Sequence, residues 1–150
     1  MEINLIPYGH QNINQSDLEE VLKSLQSDFL TTGPLVSLFE EKLSHVTGAP
    51  TISVSSGTAA LHCAFKAINL EKGDEVITPP LTFIATQATA VLCGASIVFS
   101  DVDETTGNID ATLVESAITN KTKAIVAVDY AGHPAELDEL KSIADKYNLY

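Results

Sequence analysis

The chain opens with two amphipathic helical stripes and continues as short apolar runs alternating with helical stretches. Leu18, Val21, Leu22 and Leu25 recur at the spacing of one helix face, and Ser16-Asp17-Leu18-Glu19 is a capping box that starts it. Val36, Phe39, Leu43 and Val46 form a second stripe, stopped by Gly48 and Pro50. A β-branched run over about 51–55 predicts a strand, and a helix follows from Gly57. That helix is apolar nearly all round (Leu61, Cys63, Ala64, Phe65, Ala67, Ile68), which predicts burial.

Further on, Gly73-Asp74 turns into the strand Glu75-Val76-Ile77-Thr78, which Pro79-Pro80 terminates. A helix from about Phe83 to Cys93 ends at Gly94, and Ser96 to Ser100 is the next strand. The loop from Asp101 to Asp110 leads to a helix capped by Asp110. Lys123 to Val128 is the most strand-like segment, and Gly132 and Pro134 introduce a helix bearing Leu137, Leu140, Ala144 and Tyr147. Short, continuously apolar strands alternating with helices predict an α/β fold with a largely parallel sheet covered on both faces. In such sheets ligands sit beyond the carboxyl ends of the strands. Residues 55–58, 78–83, 101–103 and 129–132 all lie at such ends and are expected to converge. Leu149-Tyr150 reads as the start of another strand, so the series is expected to be incomplete at its carboxyl end.

Charge narrows the partners. Of the 150 residues, 20 are acidic and 8 basic, every basic one is lysine, and the net charge is -12. That balance argues against nucleic acid or an anionic membrane as a partner, and the absence of arginine removes the planar fork that clamps phosphate. No apolar run approaches the roughly 20 residues of a membrane span, and Met1-Glu2-Ile3-Asn4 lacks the basic start of a signal peptide. A cytoplasmic protein is expected, with Cys63 and Cys93 as buried free thiols.

The segment with most chemistry is Ser55-Ser56-Gly57-Thr58-Ala59-Ala60-Leu61. The first turn of a helix leaves N–H groups unpartnered and its dipole favours an anion. A phosphate over Gly57, Thr58 and Ala59 could take those N–H groups and the hydroxyls of Ser56 and Thr58; the alternative is a plain strand-to-helix connection. Phe83 reads either as a core aromatic at a helix start or as a ring stacked on a flat heteroaromatic ligand whose phosphate lies at that turn. Asp101-Val102-Asp103 reads as a pair of turn formers or as the D-x-D of a metal-dependent sugar-nucleotide transferase. The spacing that follows fits no calcium loop. His10, His45, His62 and His133 have no metal spacing. There is no G-x-S-x-G elbow, and the turn at Gly57 lacks the three glycines of a dinucleotide fingerprint.

Together, several segments resemble the amino-terminal half of a DegT-family sugar aminotransferase dependent on pyridoxal 5'-phosphate (PLP). They are Phe29-Leu30-Thr31-Thr32-Gly33 before Phe39-Glu40, the Ser55–Leu61 turn, Gly73-Asp74-Glu75-Val76-Ile77, Thr82-Phe83-Ile84-Ala85-Thr86 with Gly94-Ala95, and Asp101-Val102-Asp103 with Gly107-Asn108-Ile109-Asp110. Thr122 to Gly132 is most similar to the pseudaminic-acid branch. The resemblance implies the large domain of a fold-type I PLP-dependent transferase, with the small carboxyl-terminal domain outside residues 1–150. It implies amination of a 4-keto-6-deoxy nucleotide-sugar, a UDP-linked 2-acetamido-2,6-dideoxy-hexulose, with L-glutamate as donor, by a homodimer. Ser56, Gly57, Thr58 and Ala59 match its phosphate-binding turn, and Phe83 the aromatic stacked on the pyridine ring. Tyr8, Thr31, Thr32 and Gly33 match positions near the nucleotide-sugar. The Schiff-base lysine is expected beyond Tyr150, so residues 1–150 carry no catalytic residue and are expected not to transaminate alone. A non-catalytic phosphate-binding remnant is the alternative.

Overall fold

The computed structural model describes residues 9–150, and the chain divides into two compact units that meet in sequence at Ser53 and Val54. The first holds α1 (Gln15–Leu25) and α2 (Pro34–Thr47). Asn14, not Ser16, caps α1: its Oδ1 accepts the N–H groups of Ser16 and Asp17, and the Asp17 carboxylate accepts the Asn14 N–H. The capping box therefore sits two residues upstream of its predicted place, because an asparagine ahead of the serine already satisfies those donors. Pro34 starts α2 at a position where a missing N–H costs nothing.

Residues 51–54 form no strand, which corrects the expectation for 51–55. The Ser53 N–H and hydroxyl both donate to Glu40 Oε1, at 2.8 and 2.9 Å, and the Thr51 N–H donates to Ser44 Oγ at 2.9 Å. A β-branched run has no ladder to join when side chains of α2 have taken its donors. The two Ser53 bonds, led by that of its N–H, lower the pKa of Glu40.

The second unit holds α3 (Gly57–Ala67), β1 (Glu75–Thr78), α4 (Ala85–Leu92), β2 (Ser96–Phe99), α5 (Ala111–Val114), β3 (Thr122–Ile125) and α6 (Leu137–Tyr147). The sheet order is β2-β1-β3 and both pairings are parallel, with Val76 opposite Ile97 and Ala124, and Ile77 opposite Val98 and Ile125. Successive strand residues face opposite sides of a sheet, so adjacent positions of β1 head different cores. Val76 packs with Phe65, Leu70, Ala90, Cys93 and Ala95. Ile77 packs with Ile109, Ala111, Val114, Ala135 and Leu140. Both residues of β1 are fully buried, which is why the central strand reads as continuously apolar.

Three further expectations change. The third strand stops at Ile125 rather than Val128, although the Val126 N–H still donates to the Ile77 carbonyl at 2.8 Å. Helix α4 begins at Ala85, leaving Phe83 in the loop before it. Helix α3 is not buried: Phe65 is its one buried residue, and Cys63 is exposed while Cys93 is buried, both as free thiols. Its inner face meets α4 and the Val76 core. Beyond α6, the Tyr150 N–H donates to the Lys123 carbonyl and its own carbonyl accepts the Ile125 N–H, at 3.1 and 2.8 Å. Tyr150 thus bonds to the edge of β3 in the pattern of a parallel ladder.

Candidate functional site

At the amino end of α3 the cap geometry separates the N–H groups into two kinds. Ser56 is the N-cap, and its Oγ accepts the Ala59 N–H at 3.1 Å, while the Ser56 carbonyl accepts the Ala60 N–H. The N–H groups of Gly57 and Thr58 have no acceptor among the described residues. They are the first two orphan donors of an 11-residue helix, and they point along the positive end of its dipole.

Gly57, Thr58, Ala60, Leu61 and Ala64 share an open cavity of about 600 Å³ with Phe83 and Ala85. Phe83 is 73 % exposed, so it is no core aromatic; its ring lies in the wall of this groove. Two contacts anchor the segment that presents it. Gln87 Nε2 donates to the Pro79 carbonyl at 3.1 Å, and the hydroxyls of Thr82 and Thr86 are 2.9 Å apart.

Gly57 tests whether a phosphate cradle fits here. Its φ lies outside the left-handed region, and an added Cβ would meet no atom within 4 Å. Neither backbone conformation nor packing within the chain therefore requires glycine. A Cβ on a helix tilts toward the amino end, so the space kept clear is the space over the orphan N–H groups. That is the space an anion takes at the amino end of a helix.

Thr31, Thr32 and Gly33 lie in the first unit, lining a different cavity of about 450 Å³ with Glu20, Lys23 and Phe29. Thr32 has a φ of 49°, and a Cβ on Gly33 would fall 2.6 Å from Phe29 Cβ, so this turn is tightly folded on itself. Tyr8 lies outside the described residues.

The acidic pair after β2 closes a loop. Asp103 Oδ1 accepts the N–H groups of Thr105 and Thr106 and the Thr106 hydroxyl, at 3.0, 2.9 and 3.1 Å, and Asp101 Oδ1 accepts the Val102 N–H. The Thr106 and Thr105 N–H groups, with the Thr106 hydroxyl, hold the Asp103 pKa below its ordinary value. No group of three or more His, Cys, Asp or Glu residues among the described residues is placed to hold a metal ion. A depressed carboxylate pKa contributes stability above the ordinary carboxylate range, and that contribution is lost as pH falls through the folded-state value. The melting-temperature gap between the wild type and Asp103→Asn is therefore widest near neutral pH and closes in acid. A gap constant with pH would contradict the role of the ionised carboxylate.

Asn108 carries no motif signal of its own beyond the resemblance, yet its side chain makes three hydrogen bonds to a loop distant in sequence near the carboxyl edge of the sheet. It is buried, its Oδ1 accepts the Tyr130 N–H at 2.9 Å, and its Nδ2 donates to the carbonyls of His133 and Pro134, both at 3.0 Å. An asparagine after a glycine in a loop is ordinarily a turn former, so sequence offered no way to see partners 22 to 26 residues away.

Residues 11–150 match the DegT/DnrJ/EryC1/StrS aminotransferase family. The chain belongs to this family. It is 45 % identical over 148 residues to an uncharacterized protein of Methanocaldococcus jannaschii, MJ1066, covering 98 % of this chain and 38 % of that one. Spr1654 of Streptococcus pneumoniae, assigned as a sugar aminotransferase and solved in PMP, PLP and apo forms, superposes with a TM-score of 0.89 at 36 % identity. The match covers 95 % of this chain and 36 % of Spr1654. PseC of Helicobacter pylori, an aminotransferase involved in the biosynthesis of pseudaminic acid, superposes with a TM-score of 0.88 at 33 % identity, over 95 % of this chain and 39 % of PseC. The chain thus spans little more than a third of the length of these relatives. Its parallel α/β sheet is that of the aminotransferases it superposes on. No helix among the described residues is long and apolar enough to cross a membrane.

Proposed function

We propose that the protein is a PLP-dependent sugar aminotransferase whose cofactor phosphate binds at the amino end of α3. The observation that carries this is the shared groove: two orphan N–H groups, on Gly57 and Thr58, open into the same cavity as the exposed ring of Phe83. PLP, when bound, supplies the electron sink through which an amino group passes from a donor to a keto sugar. The residues of this chain bind and orient it. The N–H groups of Gly57 and Thr58, with the hydroxyls of Ser56 and Thr58, hold the phosphate, and Ala59 completes the turn through its bond to the Ser56 cap. Phe83 covers one face of the ring and keeps water from it. Offset stacking of this kind contributes about 0.5–1.5 kcal/mol.

The proposed substrate is a 4-keto-6-deoxy nucleotide-sugar, a UDP-linked 2-acetamido-2,6-dideoxy-hexulose, with L-glutamate as donor and Thr31, Thr32, Gly33 and Tyr8 near the nucleotide-sugar. The similarity to PseC and the turn lining its own cavity support this reading.

None of the eight lysines is among the residues that line the groove. Lys23, Lys141 and Lys146 pair on the surface with Glu20, Asp145 and Glu115. Residues 1–150 are accordingly proposed to hold PLP without attaching it covalently, and so not to transaminate by themselves. Titration of the 150-residue chain with PLP should show saturable binding that inorganic phosphate competes away. Borohydride treatment of the mixture should leave no stoichiometric label on a lysine. Absence of phosphate-competed binding would overturn the cradle, and a stoichiometric label would overturn the non-covalent reading.

A further inference from the structure

The loops that leave the carboxyl ends of β1, β2 and β3 meet over one glycine. Gly107, in the loop after β2, has a φ of +74°, and an added Cβ would lie 2.9 Å from Tyr130 Cδ1 and 3.5 Å from Leu81 Cδ2. Tyr130 belongs to the loop after β3. Leu81 belongs to the segment after β1, two residues before Phe83. Any side chain at 107 would press directly on the Tyr130 ring while reaching ordinary contact with Leu81, so glycine is needed here for space as well as for backbone.

Tyr130 is held from outside its own loop by Asn108: its N–H is shared between Asn108 Oδ1 at 2.9 Å and the Val128 carbonyl at 3.0 Å, and its carbonyl accepts the His133 N–H. Residues 129–134 belong to no strand, and they include Ala131 at a φ of 52° and Gly132 at 82°. A non-glycine residue in the left-handed region is strained and persists only where its surroundings over-determine it. Backbone bonds from Gly132 to Asp129 and from His133 to Tyr130 close the turn, and side chains hold it: Asn108 bonds the backbone of Tyr130, His133 and Pro134, and Asp129 Oδ1 accepts the Ala135 N–H at 2.9 Å. Asn108 is 4 % exposed, and three bonds from one buried amide converge on a single short loop.

The Phe83 segment is anchored at Pro79 and Thr82 by Gln87 and Thr86. Between those anchors lies Leu81, whose Cδ2 comes to the same side-chain position of Gly107 that the Tyr130 ring occupies. We infer that Asn108 is a positioning residue for the groove: by pinning the Tyr130 backbone it seats that ring over Gly107, where Leu81 also approaches, and so steadies the segment that presents Phe83. The inference rests on the reading of Phe83 as the cofactor-facing ring, but its action on Phe83 is measurable with no cofactor present.

The chain has no tryptophan, so Phe83→Trp places a single indole reporter in the groove wall. In that background, unliganded, Asn108→Ala and Tyr130→Ala should each raise the acrylamide quenching constant of the indole about twofold and lower its anisotropy. Because Asn108 acts through Tyr130, the double variant should quench no more than either single one. A merely structural Asn108 would lower the urea midpoint and leave the indole unmoved, or its effect would add to that of Tyr130→Ala; either result overturns the inference. Should Asn108→Ala fail to fold, Tyr130→Ala and Gly107→Ala decide, since both leave the asparagine in place and both should free the reporter. A reporter unmoved by either overturns the inference. Adding PLP to the Phe83→Trp parent separates the two readings. Indole emission unchanged by saturating PLP sinks the cofactor assignment and leaves the unliganded comparison standing.

Discussion

Ile77→Ala lowers the stability of the second unit by about 3–4 kcal/mol. Ile77 is fully buried in β1, the strand bonded on both sides, and faces Ile109, Val114 and Leu140. A strand held by two parallel ladders cannot move to close the cavity, so the lower end of the range for isoleucine truncations does not apply. Domains of this size hold about 5–15 kcal/mol in all, and each kcal/mol shifts the melting temperature of a domain of up to about 100 residues by about 4–8 °C. A fall of at least about 12 °C is expected, with the urea midpoint lowered at unchanged slope. Val46→Ala is the matched control: Val46 is 84 % exposed on α2, and its truncation should stay within about 0.5 kcal/mol. An Ile77→Ala loss under about 1 kcal/mol would contradict the two-sided burial of β1.

Gly57→Ala should weaken PLP binding by about tenfold or more while leaving the fold as stable as before, or more so. The new methyl group meets no atom within 4 Å, and alanine is the better helix former by up to about 1 kcal/mol. Stability therefore has nothing to lose. The methyl tilts over the orphan N–H groups, and displacing one phosphate contact costs about 1.4 kcal/mol, which is the tenfold expected. Ser56→Ala gives the opposite signature. It removes the cap bond to Ala59 as well as a phosphate donor, so the melting temperature and the affinity should fall together, stability by about 1 kcal/mol. PLP titration paired with thermal melts distinguishes the two. A Gly57→Ala chain that melts lower yet binds PLP normally would show the glycine to be structural.

The elements and the family were legible because the signals behind them are local. A proline pair ends β1, Gly94 ends the region of α4, and Asp110 caps α5 by accepting the Thr112 N–H, each interaction spanning only a few residues. The groove was legible for the same reason at its α3 end, where one cap and one glycine define the donors. Its other wall was ambiguous. A phenylalanine near a helix start can point inward or outward, and packing of the 79–84 segment decides which.

Elsewhere the local signal pointed the wrong way. Residues 51–54 have strand chemistry, but Glu40 and Ser44 hold the backbone donors of Ser53 and Thr51. Helix α3 has the composition of a buried helix and keeps Cys63 exposed. The stripes on α1 and α2 report which residues share a face, and Leu25 and Phe39 on those faces are exposed among the described residues.

By itself the sequence determined where the chain turns, which segments outside 51–54 become helix or strand, the parallel sense of the sheet and the anion-ready turn at Gly57. Each follows from periodicity, capping or connection length, which neighbouring residues settle among themselves. Tertiary structure alone decided that Phe83 stands in a groove wall, that 51–54 stays out of the sheet, and that Asn108 binds the loop of Tyr130. Those outcomes turn on which distant group reaches a donor or a cavity first, a competition decided only when the chain packs.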